Sequence, residues 1–316
     1  MSVLVIHTGG TIGMDQTDQG FAPRDGVVEG AVEELRSSGQ VGGEVSLHKL
    51  TPLIDSAQAR PGDWQRIAET VHAHADRFDG FVVTHGTDTL AYTSGALCLA
   101  LPGLVKPVVV TGAMLPLTVE GSDGARNLKD ALNIASKTRP GTWVQFAGHC
   151  LHGARVRKSH SRAFDAFEAE EWETPPLVEA QHPGLNNVTE HKVGVVSVTP
   201  GTATELIDYA ASRCDGLVLR CFGSGTAPDT AEMHAALAKA HDRQVPVVAI
   251  SQCPEGGMRL GTYAAGKVMR DNGVVDGRDM TVEMAFAKLQ YCLSLYSSFS
   301  EQFAYLNTSH CGEFSG

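Results

Sequence analysis

Apolar and polar positions along this chain alternate between strand and helix periods. Residues 3–6 are Val-Leu-Val-Ile, a short run with three β-branched side chains, and they predict a buried strand. That strand runs directly into Thr8-Gly9-Gly10-Thr11-Ile12-Gly13. Glycine lets a chain turn sharply and brings bare backbone N–H groups to the strand end, here with the Thr11 hydroxyl held inside the turn. A helix is expected over 28–38, then a strand over 45–50 that leads to Asp55-Ser56. Pro61 suits a first helical turn, and Trp64, Ile67, Ala68 and Val71 follow it at helical spacing. A strand over 80–84 ends in His85-Gly86-Thr87-Asp88-Thr89, and a helix follows through residue 100. A strand over 107–111 ends in Gly112-Ala113-Met114, and Leu128, Ala131, Leu132 and Ala135 mark the next helix. Residues 143–147 and 151–156 read as a strand and part of a hairpin. This alternation predicts an α/β fold, a mostly parallel sheet with helices on both faces.

The pattern changes over 168–192, where Glu168, Glu170, Glu171 and Glu173 precede Pro175-Pro176, His182-Pro183-Gly184 and Asn186-Asn187. This is linker composition. Alternation resumes at residue 193, with strands expected over 193–198, 216–221 and 246–250. Helices are expected near 203–211, 229–240, 262–271 and 282–295. Two α/β domains follow from this: a larger one over 1–185 that carries the motifs, a linker over 186–192, and a smaller one over 193–316. Residues 15–27 read as a long flexible connection carrying Phe21, a candidate lid beside the first strand end.

Composition narrows the partners. The 316 residues are 42% hydrophobic and 19% charged, as in a soluble globular protein. A formal net charge of −11 disfavours nucleic acid and anionic membrane as partners. Seven cysteines, widely spaced and without C-x-x-C, predict reduced thiols in a cytoplasmic protein. The first strand begins at Val3 with no basic region or long apolar run before it, and no run of 18 apolar residues occurs. Neither export nor membrane insertion is expected.

The glycines at 9, 10 and 13 do not make G-x-G-x-x-G, and G-x-x-x-x-G-K-[ST] is absent, which argues against a nucleotide loop. A purely structural turn and a hydroxyl mount remain. Thr11, Ser56, Thr87 and Thr111 all fall at predicted strand ends, which line one edge of a parallel sheet. A threonine hydroxyl needs a base or a proton relay to attack a carbonyl. Asp88 is a weak base, better suited to gripping a substrate cation or orienting a lysine. Lys158 lies in an extended basic segment, 155–162, where positions 156, 158 and 160 share a face. Turned inward against Thr87 and Asp88 it serves as a base; turned outward it belongs to an exposed anion-binding hairpin. His149, Cys150 and His152 crowd together, but no second ligand pair at metal spacing accompanies them. The acidic cluster at 168–173 reads as a solvated face.

Taken together, Thr8–Gly13, His85–Thr89, Gly112-Ala113-Met114 and Lys158 resemble the bacterial L-asparaginase/glutaminase family. Gly13-Met14, Ser122-Asp123-Gly124, Phe222-Gly223-Ser224-Gly225 and Gln252-Cys253 are most similar to its intracellular type I branch. The resemblance covers nearly the whole chain and implies hydrolysis of L-asparagine to L-aspartate and ammonia without metal or organic cofactor. It implies Thr11 as nucleophile and Thr87, Asp88 and Lys158 as the supporting relay. Ser56, Gly86, Asp88 and Ala113 would bind substrate. The family usually has a tyrosine in the loop where this chain has Phe21, and often a polar residue where it has Ala57. The resemblance further implies a homodimer or homotetramer, with each site completed by a neighbouring subunit. A second, regulatory asparagine site would lie near Arg220, Ser251 and Cys253. Preference between asparagine and glutamine stays open. Two alternatives keep the fold: a non-catalytic or weakly active amino acid sensor, and the ammonia-supplying subunit of a tRNA-dependent amidotransferase. The second carries extra sequence before its Thr-Gly-Gly-Thr motif, whereas this chain starts close to its first strand.

Overall fold

A computed structural model describes residues 1–18, 20–261 and 266–315, which divide into two compact units, Met1–Asn186 and Asn187–Gly316. In the first unit the chain runs through β1 (Ser2–Gly9), a single 3-10 turn at Thr11–Gly13, β2 (Met14–Thr17), β3 (Gly20–Pro23), α1 (Val27–Ser37) and β4 (Glu44–Ile54). It continues through α2 (Pro61–Ala73), β5 (Gly80–Thr84), α3 (Leu90–Ala100), β6 (Pro107–Thr111) and α4 (Gly124–Ala135). It closes with β7 (Gly141–Phe146), β8 (His149–His152), β9 (Val156–Lys158) and β10 (Phe167–Ala169).

Six of these strands form one sheet in the order β4-β1-β5-β6-β7-β8, parallel except for the β7–β8 pair. The α/β expectation is met. From β1 the chain first adds β4 on one side and then β5 on the other. Strand order therefore reverses between β1 and β5, the place where a crevice opens beyond the carboxyl ends of a parallel sheet. Strand sequences such as Gly80–Thr84 and Pro107–Thr111 are buried throughout, as expected of strands covered on both faces. On one face Val28 and Val32 of α1 and Leu128 and Leu132 of α4 pack with Val3, Val5, Val82 and Val109. Leu4 and Ile6, the alternate positions of β1, are buried on the other face.

In the second unit β11 (Val193–Ser197), α5 (Thr204–Arg213), β12 (Gly216–Cys221), α6 (Ala231–Asp242) and β13 (Val247–Ser251) alternate as expected. Then come α7 (Lys267–Asp271), β14 (Val275–Asp276), α8 (Val282–Leu295) and α9 (Phe299–Asn307). The four strands lie parallel in simple sequence order. Of the helix expected over 262–271, residues 267–271 are helical and 262–265 lie outside the described residues.

Three expectations need correction. Within the stretch expected to be a long flexible connection, Met14–Thr17 and Gly20–Pro23 pair as antiparallel strands; Gln16 pairs with Phe21, and Thr17 Oγ1 donates to Gly20 O at 2.5 Å. Polar side chains concealed a period-2 element that is solvated on both faces. Residues 170–186 are irregular but are no free linker. Pro176 O and Val178 O accept from Thr142 N at 2.9 Å and Gly103 N at 2.8 Å, and Gly184 N and Asn186 N donate to Pro102 O and Ala100 O. Prolines lack a donor but keep a carbonyl, so the proline-rich part docks through acceptors and the residues after it through donors. The acidic cluster is also partly engaged: Glu170 pairs with the buried Arg155 and Glu168 with Arg157, both at 2.9 Å.

Sequence periodicity carried no sign of a buried ion pair in the second unit. Lys288 of α8 and Glu313 have side chains with 0% exposure and meet at 2.7 Å. Burial pulls the Lys288 ammonium down, yet Leu306 O and Thr308 O also accept from it, so three acceptors surround the charge. Burial alone would raise the Glu313 carboxyl, but Lys288 and the Cys311 N–H hold it at about 2. A folded-state value below the ordinary 4.5 means stability present above 4.5 and lost as pH falls toward 2. We expect Lys288→Met to cost about 3–5 kcal/mol, because it strands a buried carboxylate, and Lys288→Met/Glu313→Leu to recover much of that. Urea unfolding at neutral pH measures both. Repeated at lower pH, the same titrations should show the gap between parent and double variant narrowing below pH 4.5.

Candidate active site

The tips of β4, β1, β5 and β6 share one edge of the first sheet, and the loops after them are packed backbone against backbone. Gly10, at φ 86°, takes a left-handed conformation open to glycine, and a Cβ there would lie 2.6 Å from Gly86 Cα. A Cβ on Gly86 would lie 2.5 Å from Ser56 Cβ. One on Gly112 would collide with the His85 carbonyl oxygen and approach Thr87 Cγ2 at 3.7 Å. The glycines therefore bring the loops carrying Thr11, Ser56, Thr87 and Ala113 into contact.

Polar contacts complete the arrangement. Lys158 Nζ donates to Thr87 Oγ1 at 2.9 Å and to Asp88 Oδ1 at 3.1 Å. Thr87 is buried, whereas the Asp88 side chain is 64% exposed and Lys158 21% exposed. The inward reading of Lys158 is the one the structure adopts, although it still sits in a hairpin, with β9 antiparallel to β10 and Lys158 opposite Phe167. Thr89 Oγ1 donates to Ser56 O at 2.8 Å, tying the β4 tip to the β5 loop. Asp55 accepts from Ala57 N at 3.1 Å and holds the turn on which Ser56 rides. Phe21 lies on the hairpin beyond Thr11 with its residue surface 46% exposed, so its ring is open to solvent rather than sealed over the turn.

Thr111 departs from its expected place. Its hydroxyl is buried and donates to Gln145 O at 2.7 Å, pinning β6 to β7 instead of facing the edge. Asp123, named above only within the Ser122-Asp123-Gly124 motif, and Asn127, which the sequence did not single out, hold the β6 loop. Asp123 accepts from Met114 N and Leu115 N at 3.0 Å, and Asn127 donates to Gly112 O at 3.0 Å. Asp123 precedes α4 but makes no side-chain cap there; its carboxylate serves the β6 loop instead. Among the described residues no cluster of histidine, cysteine and carboxylate side chains is arranged to hold a metal ion.

In the second unit the β12 and β13 ends carry Arg220 and Ser251. Ser251 Oγ donates to Gly223 O at 2.7 Å and accepts from Cys253 N at 3.0 Å. Gln252 Nε2 donates to Arg220 O at 2.9 Å. Among the described residues the buried Arg220 Nε atom has no acceptor, while Cys253 is exposed. All three expected residues thus gather at one strand edge of this unit.

Comparison with known proteins bears on the whole chain. Residues 2–191 match the family model "Asparaginase, N-terminal", and residues 192–305 match "Glutaminase/Asparaginase C-terminal domain". The chain belongs to the asparaginase family. It is 37% identical to L-asparaginase 1 of Escherichia coli K12 over 93% of this chain and 92% of that protein. The crystal structure of L-asparaginase I from Vibrio cholerae superposes with a TM-score of 0.91 at 34% identity, covering 99% of each chain. The thermostable L-asparaginase of Thermococcus kodakarensis superposes with a TM-score of 0.89 at 32% identity, covering 100% of each chain.

Loop contact at the edge is testable in this asparaginase. Gly86→Ala should push Ser56 away and lower kcat/KM for asparagine by at least tenfold, about 1.4 kcal/mol, with an unchanged circular dichroism spectrum. Parent kinetics in a well-folded Gly86→Ala protein would mean that the Ser56 loop moves without consequence.

Proposed function

We propose that this asparaginase hydrolyses L-asparagine to L-aspartate and ammonia by a threonine nucleophile. The observation that carries the reading is the Lys158–Thr87–Asp88 cluster, packed through Gly10 and Gly86 against the turn that holds Thr11. Among the described residues the Thr11 hydroxyl has no hydrogen-bond partner within the chain, and it stands at the strand-order reversal.

In the proposed sequence Thr11 Oγ attacks the side-chain amide carbon of asparagine. Its proton passes to Thr87 Oγ1 as the Thr87 hydroxyl proton passes to Lys158, 2.9 Å away, whose Nζ must be the neutral amine to take it and becomes the ammonium. The resulting oxyanion is met by backbone N–H groups of the Thr87 and Ala113 loops, each such donor contributing roughly 3–4 kcal/mol. Collapse returns the proton to the departing nitrogen, ammonia leaves, and the acyl group stays on Thr11. Water then displaces it as aspartate and restores the hydroxyl. Asp88 holds Lys158 in place and grips the substrate ammonium; its exposure leaves an oxygen free to do so. Ser56, with Gly86 at its back, takes the α-carboxylate.

We also propose a homo-oligomer in which a neighbouring subunit completes each site, and a second asparagine site at Arg220, Ser251 and Cys253, where the buried Arg220 Nε has no acceptor among the described residues. Seven unpaired cysteines support a reducing, cytoplasmic setting.

Ammonia release from asparagine tests the reading. Thr11→Ala and Lys158→Met should each lower kcat by about 10³-fold or more, in the range of lost nucleophile and base function. Tight asparagine binding by the parent without turnover would instead favour an amino acid sensor. Phe21 lacks the hydroxyl of the tyrosine usual in the family, so Phe21→Tyr should raise kcat if that hydroxyl shares in proton transfer, and an unchanged kcat would mean that the relay does not need it.

A further inference from the structure

Beneath the Thr11 turn lies a titratable ring that the proposed mechanism does not use. His7, near the end of β1, is 2% exposed, and its Nδ1 lies 2.8 Å from Thr84 Oγ1 on β5. The other edge of the ring faces the turn. A Cβ on Gly13 would come within 2.9 Å of His7 Cε1 and 3.1 Å of its Nε2, and within 3.3 Å of Val28 Cγ2 on α1. Gly13 therefore sits between the imidazole and α1 with no room for a side chain. Its N–H donates to Gly10 O at 3.1 Å, which closes the Thr11–Gly13 turn directly over the ring.

The two charge states of the ring meet this seat differently. A neutral imidazole with its proton on Nδ1 donates to Thr84 Oγ1 and presents a bare Nε2 to the turn. A protonated imidazole carries a second N–H on Nε2. Among the described residues Nε2 has no acceptor within the chain, and the nearest backbone is that of Gly13. Burial is the largest influence on the ring and pulls it below its ordinary 6.5. Glu29 of α1 works against burial, Lys49 opposite on β4 works with it, and Asp25 before α1 works against it. Asp25 is itself paired with Lys49, so the acid nearest the second cation is already engaged.

We propose that His7 is an acid-sensitive latch on the Thr11 turn: as a neutral ring it seats Gly13 and keeps the turn closed, and on taking up a proton it releases the turn. The latch needs no part for His7 in catalysis at neutral pH. Its consequence for activity rests on the reading of Thr11 as nucleophile; the release of the turn does not.

Stability and hydrogen exchange decide it together. A folded-state value below 6.5 means stability present above 6.5 and lost as pH falls through that window. One proton taken up on unfolding removes up to about tenfold of the folded-to-unfolded ratio per pH unit. His7→Gln keeps an amide donor for Thr84 and does not titrate. Its urea midpoint should change less than the parent's between about pH 7.5 and about pH 5.5. His85 and His310, also lowered by burial, act alike in both proteins and cancel from the comparison. Exchange of the peptide spanning residues 8–14, read by mass spectrometry, should match between the two proteins at about pH 7.5 and run about threefold or more faster in the parent at about pH 5.5. Asparagine turnover by His7→Gln should equal the parent's at neutral pH and persist further into acid. Equal exchange at both pH values, or the same pH dependence of the two urea midpoints, would overturn the proposal. Should His7→Gln fail to fold, His7→Phe offers a ring without a titrating group and takes its place in the same comparison. Absence of asparagine turnover in the parent would sink the nucleophile reading and leave the exchange comparison to decide the latch.

Discussion

Everything at the candidate site depends on one close approach, the Gly10 backbone against the Gly86 peptide. Two parallel strands pairing side by side keep their backbones roughly 4.8 Å apart, and a loop that leaves one strand normally swings clear of the other. Here both loops stay in contact because neither residue carries a Cβ, and Gly10 adopts a backbone conformation that other residues reach only at a cost. The contact falls where strand order reverses, between β1 and β5. Sheet topology opens a crevice there, and the glycines close its floor. The Thr11 turn and the Thr87-Asp88 loop then face the same small volume, and the short β9 strand delivers Lys158 to its rim.

Around that contact lies a layer of buried and half-buried polar residues whose task is orientation. His85 and Thr93 hold the β5 loop from below, Asp123 and Asn127 hold the β6 loop from the side, and Thr89 ties the β4 tip across. All but Thr93, which bonds the His85 ring, satisfy backbone groups at the irregular strand ends. Such a layer stiffens the strand-end loops, and the proposed stabilisation of an oxyanion would require donors held in fixed directions before substrate binds. The second unit uses a different device. A fully buried Lys288–Glu313 pair ties the C-terminal segment to α8, with the Lys288 ammonium 4.4 Å from the Phe314 ring centroid. It fixes where that segment lies more than it adds net stability.

Elements with strong periodicity were legible from the residues alone. Strands 80–84 and 107–111 and the helix over 282–295 lie where apolar runs and spacing put them. The hairpin at 14–23, the docked segment at 170–186 and the helix at 299–307 did not announce themselves. Their order comes from contacts with distant parts of the chain or from a period hidden among polar side chains. Candidate residues were legible by type and place, as hydroxyls, a carboxylate and a lysine at strand ends. Thr111 shows the limit of that reasoning, since a hydroxyl at a strand end served the sheet instead.

By itself the sequence determined the α/β alternation, the glycine-rich turns at the strand ends and the chemical groups on offer there, because these follow from local periodicity and residue chemistry. Which way Lys158 turns, which groups the His85 ring meets and which hydroxyls reach the edge were decided only by the tertiary structure. Those choices depend on partners 8 to 71 residues away, Thr93 for His85 and Thr87 for Lys158, and no local pattern encodes the direction in which a buried polar group finds its partner.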